Sequence, residues 1–453
     1  MDSCGSGATP CIPMSAPLSS LTPTVANYRT RLWPAVLATL LTSAGFAGLK
    51  FVLIGEIALD FDPQTHQPLP FAWMEAVLQR CLAKNALTEA VAQGLAAVLT
   101  FGVLLGFLLN SPLAGAWRCG RLFVLACAGM AVGTLATQVT NKWLVMVFVG
   151  ICYGAACAAR GKAIPLLARA TGRGNTFVSG LINAAMVIGL LGGTVLGMVL
   201  HGSVTMPWWR HGLLAAFLVM ATILATRVRP PEPRPMPFKQ GLRELLAGTW
   251  RMTRAHWPLL VGGGLAWGIA SAASLAVFVD GLDRLTINGK LIPPALASTL
   301  VVFPAVGAII GNLTSHWFSR RRHVIAAYLL MAVVIGIYPH VVDGYWGAAL
   351  AMIVVGALFA CPTNVLDAKL MACAAKEGLA GRGSTVMSLV HNVFILVVGS
   401  TLALALFLGW MTAFQQFSCL AAIAVLTALV SVFARLSWPG HPEVSGARPV
   451  LQS

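Results

Sequence analysis

Apolar stretches of about twenty residues recur along the whole chain, divided by short segments that collect its charges. A helix needs about 20 mostly apolar residues to cross roughly 30 Å of hydrocarbon, and the pattern predicts twelve such helices. The first six cover 33–58, 88–110, 120–139, 143–166, 176–200 and 211–228. A second six cover 258–280, 293–315, 323–341, 345–366, 384–409 and 412–435. Between the sets, Arg227 to Trp257 opens with RVRPPEPRPMPFK, whose prolines and charges mark a linker. GLRELLAGTWRMTR, which follows, has the pattern of a short amphipathic surface helix. The fold expected is an all-α integral membrane protein with a tail over 1–31, a six-helix bundle over 32–228, a linker over 229–257, a second bundle over 258–436 and a tail over 437–453.

Charge gives an independent check on this count. Positive residues collect in the loops that stay in the cytoplasm. With the N-terminus inside, 23 of the 30 Lys and Arg fall on the cytoplasmic side, six fall outside, and Lys50 lies within a span. Both termini and the linker are therefore expected in the cytoplasm of a bacterial inner membrane. The outer loop 59–87 is long for its position; MEAVLQRCLAKNAL within it has helical spacing and reads as a surface cap, with a substrate gate as the other reading.

Composition agrees. Hydrophobic residues make up 58% of the 453 and charged residues 10%, against about a quarter charged in soluble chains. The net charge of +16 would raise nucleic-acid binding in a soluble protein. Here the basic residues follow topology, and no nucleic-acid partner is expected. Ten cysteines show no C-x-x-C spacing, so neither a metal site nor a disulfide framework is expected. Residues 1–31, rich in Ser, Pro and Thr, read as a disordered tail rather than a signal peptide, and Cys4 has no lipid-anchor context.

Two weak motifs occupy matching positions. Ser111-Pro-Leu-Ala-Gly115-Ala-Trp-Arg118-Cys-Gly120-Arg121 follows the second span, and Gly311-Asn-Leu-Thr-Ser315-His-Trp-Phe-Ser-Arg320-Arg321 follows the eighth. They resemble the G-x-x-x-D-R-x-G-R-R loop of major facilitator transporters, which latches the cytoplasmic side, although Gly115 stands where that family has an aspartate. Three further segments resemble the bacterial lysophospholipid transporter family. These are LTSAGFAGLKF in span one, YGAACAARGKAIPLLARATGRGNTFVSGLINAAMVIGLLGGTVLG through spans four and five, and Cys361-Pro362-Thr363-Asn364 continuing to GLAGRGSTVMSLVHNVF. The resemblance implies two six-helix bundles and transport by alternating access, with Arg160 at the place of that family's Pro-Ala-Lys turn. Its acidic positions are replaced here: Gly45-Phe46-Ala47 stands for Gly-Asp-Asn, and Asn183 for a glutamate.

An ionisable group within a span costs at least ~2.5–3.5 kcal/mol on insertion scales. Lys50 reads either as a side chain snorkelling outward toward Glu56 or as a cation facing the cavity. Arg160 and Lys162 at the inner end of span four read as topology charge or as a basic mouth for a phosphate or other anion. Asn183, Asn364, His391 and Asn392 read as interhelical hydrogen-bonding groups or as substrate contacts. His391 is also a proton carrier in prospect, as is Asp280, an acid otherwise read as interfacial. Gly189, Gly192, Gly193 and Gly197 read as helix contacts. No catalytic constellation is present, so no enzyme activity and no cofactor are expected.

The expected function is secondary transport of an amphipathic or anionic substrate, with a lysophospholipid as the candidate the resemblance implies, by a protein expected to act as a monomer. A drug or small-metabolite exporter, and a non-transporting membrane scaffold on the same fold, are the alternatives. A membrane acyltransferase fits less, because no acid–histidine pair is visible in the sequence.

Overall fold

The computed structural model describes residues 26–59, 98–110, 117–139, 141–203, 206–230, 238–292, 294–318, 320–376, 380–407 and 410–433. Both tails, most of the 59–87 loop, Gly115, the 88–97 part of the second span and the 231–237 part of the linker lie outside them. Helices α1 (Ala26–Leu59), α2 (Val98–Asn110), α3 (Cys119–Ala136), α4 (Lys142–Thr171), α5 (Asn175–Ser203) and α6 (Pro207–Ala225) form the first half. The second half holds α7 (Phe238–Asp283), α8 (Phe303–Thr314), α9 (Arg321–Val341), α10 (Tyr345–Lys376), α11 (Ala380–Phe407) and α12 (Ala413–Phe433). A short helix, Pro294–Thr299, and a 3₁₀ turn, Leu300–Val302, lead into α8.

Among the described residues nine helices are long and apolar enough to cross a membrane. Two shorter apolar helices, Val98–Asn110 and Val386–Leu402, add two more. The twelfth crossing is the part of α7 beyond its bend at His256, whose backbone (φ −124°, ψ 21°) leaves the helical region. Pro258 accounts for the bend, since it lacks an N–H and its ring crowds the carbonyl four residues earlier. Before the bend, Trp250 is exposed and Met252 buried, as a helix lying on the surface requires. The protein is an all-α, multi-pass membrane protein of two six-helix bundles.

The end of the bundles that carries Arg118, Arg169, Arg173, Arg320 and Arg322 is the basic face. Exposed tryptophans ring both ends: Trp33, Trp117, Trp257 and Trp317 at the basic face, and Trp208, Trp209, Trp346 and Trp410 at the opposite one. Such belts mark the two water–lipid boundaries.

The halves repeat each other in their contacts. Helix α1 packs on α5 and α7 on α11; α2 packs on α4 and α8 on α10; α3 packs on α6 and α9 on α12. The α1–α5 seam is backbone against backbone. A β-carbon on Gly193 would overlap the Ala44 carbonyl, and one on Gly197 would lie 2.6 Å from the Gly48 oxygen. Gly189 meets Leu40 in the same way, whereas Gly192 faces open space and is not part of the seam. Lipid offers helices no hydrophobic drive to associate, so close backbone approach supplies the attraction. Gly193→Val is therefore expected to cost about 1–3 kcal/mol through overpacking, read as a lower melting temperature in detergent. Gly192→Val, one residue away, should melt as the parent does.

At the opposite face, Thr286–Ile287 pairs antiparallel with Lys290–Leu291. Asn288 (φ 52°) and Gly289 (φ 74°) form the two-residue turn, the left-handed pair that a tight hairpin prefers. The hairpin is anchored by Asp280. Arg284 donates Nε to Oδ1 and Nη2 to Oδ2, both at 2.9 Å, and the Tyr338 hydroxyl donates to Oδ2 at 2.9 Å. Arg284 also donates to Asp343 at 2.9 Å. The hydrogen bonds to Asp280 hold the Arg284 guanidinium above its ordinary value. Asp280 is thus a clamp between α7 and α9 at the opposite face.

Candidate functional site

Two small cavities, each lined by polar and apolar side chains together, lie among the inner helices. The first-half cavity opens beside α1 and α4, lined by Thr39, Thr42, Ser43, Tyr153, Cys157 and Arg160. Helical spacing places Thr39, Ser43, Phe46 and Lys50 on one stripe of α1. Phe46 stacks on Tyr153, ring centres 3.8 Å apart and planes 7° from parallel. The Tyr153 hydroxyl lies 3.4 Å from Ser43 Oγ, while buried Thr39 Oγ1 has no hydrogen-bond partner among the described residues. Among the described residues no carboxylate pairs with Arg160.

Lys50 lies one turn beyond Phe46, half-buried, with Nζ 5.9 Å from the Phe51 ring centre. It does not reach Glu56. That carboxylate is held at 3.0 Å by Lys142, 3.0 Å by His211 Nε2 and 3.7 Å by Arg210, and His211 Nδ1 lies 2.9 Å from Thr137 Oγ1. The expected Lys50–Glu56 approach is therefore replaced by a staple joining α1, α4 and α6. Lys162 donates to the Trp117 carbonyl at 3.0 Å, tying α4 to the loop before α3.

The second-half cavity is the larger but still small, about 20 Å³, room for a water, and is lined by Asn183, Trp267, Asn312, Thr363, Asn364 and Asp367 among others. His391 Nε2 lies 3.4 Å from Asp367 Oδ1, close enough for an ion pair but not aligned as a hydrogen bond. Both side chains are more than nine-tenths buried. The indole of Trp267 lies against His391, ring centres 5.9 Å apart, and its buried Nε1 has no partner. Asn392, next in sequence, points elsewhere: its amide donates to Ser388 O at 2.8 Å within its own helix. Asp367 is the residue that sequence reasoning missed. The tenth span was expected to stop at 366, yet α10 runs on to Lys376 and carries the acid inside.

At the basic-face end of this cavity the halves meet. Asn364 Oδ1 accepts from Ser179 Oγ at 2.8 Å and from Asn183 Nδ2 at 3.1 Å. Its Nδ2 donates to Ser315 Oγ at 2.6 Å and to the Thr176 carbonyl at 3.4 Å. All the hydrogen-bonding capacity of the amide is used. Gly180 makes the approach feasible, since a β-carbon there would lie 2.5 Å from the Asn312 carbonyl. Around this node Met186 and Val187 pack into the second-half core and Met371 into the first-half core. Methionine side chains suit a seal that must form and part. The basic face is closed.

The two arginine loops lie at that face. Arg118 and Arg121 are exposed, Gly120 abuts the Val228 carbonyl, and Arg320 precedes α9. Arg321 donates to the Val432 carbonyl, pinning α9 to α12.

A family model described as Major Facilitator Superfamily matches residues 35–399. The chain belongs to that superfamily. Major facilitators are transporters by family, and the repeat, the paired cavities and the closed interface fit that class. Among solved structures, the human organic anion transporter MFSD10 (TETRAN) aligns with a TM-score of 0.68 at 14% identity, over 89% of this chain and 99% of that one. A variant of the E. coli fucose:proton symporter FucP aligns with 0.64 at 12% identity, over 89% and 99%. FucP in an outward conformation aligns with 0.60 at 14% identity, over 88% and 98%. At these identities the likeness is one of fold. No curated protein gave a significant match.

Proposed function

We propose that this major facilitator moves an amphipathic or anionic solute across a bacterial inner membrane by alternating access, with the basic face in the cytoplasm. The carrying observation is Arg160, a guanidinium lining the first-half cavity with polar neighbours and no carboxylate partner among the described residues. A planar guanidinium can hold a phosphate or carboxylate through two parallel hydrogen bonds, which lysine cannot do. Lys50, on the same stripe of α1, adds positive charge on the path outward. That MFSD10 is an organic anion transporter supports the same chemistry. The sequence resemblance makes a lysophospholipid the first solute to test.

The test is uptake into vesicles holding the purified protein, with a lysophospholipid in one arm and a small organic anion in the other. Arg160→Ala should slow uptake about 10- to 100-fold, the loss of a charge-assisted contact of about 1.5–3 kcal/mol. Arg160→Lys should retain part of the rate. Arg169→Ala removes an exposed charge near the same face and should transport as the parent does. Equal loss in the two alanine variants would return Arg160 to a topological role.

A further inference from the structure

The surface helix that precedes the bend in α7 carries positive charge that nothing in the protein balances. FKQGLRELLAGTWRMTRAHW, residues 238–257, holds four Lys and Arg and one acid. Helical geometry sorts its last two turns into two faces. Met252 is buried in the second-half core, beside Gly383 at the start of α11. Trp250, Arg254 and Trp257 follow at spacings of four and three and share a stripe on the other side, with Arg251 at its flank. All four are exposed. Among the described residues no carboxylate pairs with Arg251 or Arg254. Other cations of this face are already engaged: Lys162 with the Trp117 carbonyl, Arg229 with that of Thr226, and Arg321 with that of Val432.

The pattern selects its occupant. Tryptophan settles where its N–H meets water and its ring meets hydrocarbon. Trp257 belongs to the belt that Trp33, Trp117 and Trp317 draw around this face. An arginine set between two such tryptophans lies at the height of lipid headgroups, below the water in which an acidic protein would approach. Its guanidinium can grip a phosphate through two parallel hydrogen bonds. We propose that Trp250, Arg251, Arg254 and Trp257 form a docking site for the phosphate of an anionic phospholipid in the surrounding leaflet. The lipid supplies the negative charge that the surface helix lacks, and docking holds that helix in the membrane plane. The site shares no residue with either cavity, and its lipid stays in the bilayer. It therefore stands or falls independently of the transported solute.

Native mass spectrometry of the full chain in detergent counts bound lipids one at a time. Diacyl phosphatidylglycerol should give a first adduct about 25-fold tighter than phosphatidylcholine does, since each arginine near an anionic headgroup contributes about fivefold. Arg251→Gln combined with Arg254→Gln should remove most of this preference and leave the melting curve unchanged. Arg169→Gln combined with Arg322→Gln takes the same charge from exposed positions on the same face and should keep the preference. Equal loss in the two double variants, or no preference in the parent, would overturn the site. Displacement of the lipid by glycerol phosphate or by polyglutamate would overturn the bilayer as the source of the anion. In nanodiscs, peptides over 247–255 should exchange amide hydrogens more slowly with phosphatidylglycerol present than in phosphatidylcholine alone. The Arg251→Gln, Arg254→Gln variant should show no such difference. Equal exchange of the parent in the two lipids would overturn the holding role.

Discussion

Asn364→Leu should open the basic face. Leucine keeps the volume but removes an amide that accepts from Ser179 and Asn183 and donates to Ser315 and the Thr176 carbonyl. The polar groups left behind stay buried only if the halves remain together, so they favour separation. At about 1 kcal/mol for each strong contact, the closed arrangement loses about 2–3 kcal/mol. That is about a 30- to 150-fold change in the closed-to-open ratio. Spin labels at positions 173 and 320, both exposed at the basic face and in a background without reactive cysteines, would report it. The distance between them should lengthen in the variant, while an unchanged distribution would mean that the methionine seal holds the face closed alone.

Glu56→Ala should have the largest effect on stability. The carboxylate is buried and gathers Lys142, Arg210 and the fully buried His211. Removing one partner from a buried charged cluster costs about 3–5 kcal/mol, because the groups left behind are uncompensated. Lys142 is a third exposed and regains water, which places the expectation near the low end. A fall in Tm of about 5–10 °C should follow. In the double variant with His211→Ala the loss should be smaller than the sum of the singles, since the two share one contact. An unaltered melting curve for Glu56→Ala would show that α1, α4 and α6 are held by packing alone.

The twelve crossings were legible because lipid imposes length and apolarity on every one of them. The contents of the site were less so. Asp367 falls just past the tenth apolar run, where a charge usually marks solvent; that α7 and α11 cover it is a tertiary fact. His391 and Asn392 were read together because they are neighbours in sequence, yet successive helical residues point about 100° apart and only the histidine reaches the cavity. Asn183 and Asn364 were chosen separately, and their meeting across 181 positions has no trace in local spacing. The Asn288–Gly289 turn is only a two-residue signal amid helical patterns.

The glycine seams have a consequence for how such a protein can change its cargo. Where Gly193 and Gly197 seat α1 against α5, nearly any new side chain wedges backbones apart, so these positions are closed to variation. The cavity linings are built from side chains that project into space, among them Thr39, Ser43, Trp267 and Thr363. Those positions can be exchanged one at a time without disturbing the bundles that carry them. Selectivity can therefore drift between lineages while the moving parts stay the same, which is how a scaffold at 12–14% identity to its structural neighbours keeps their architecture.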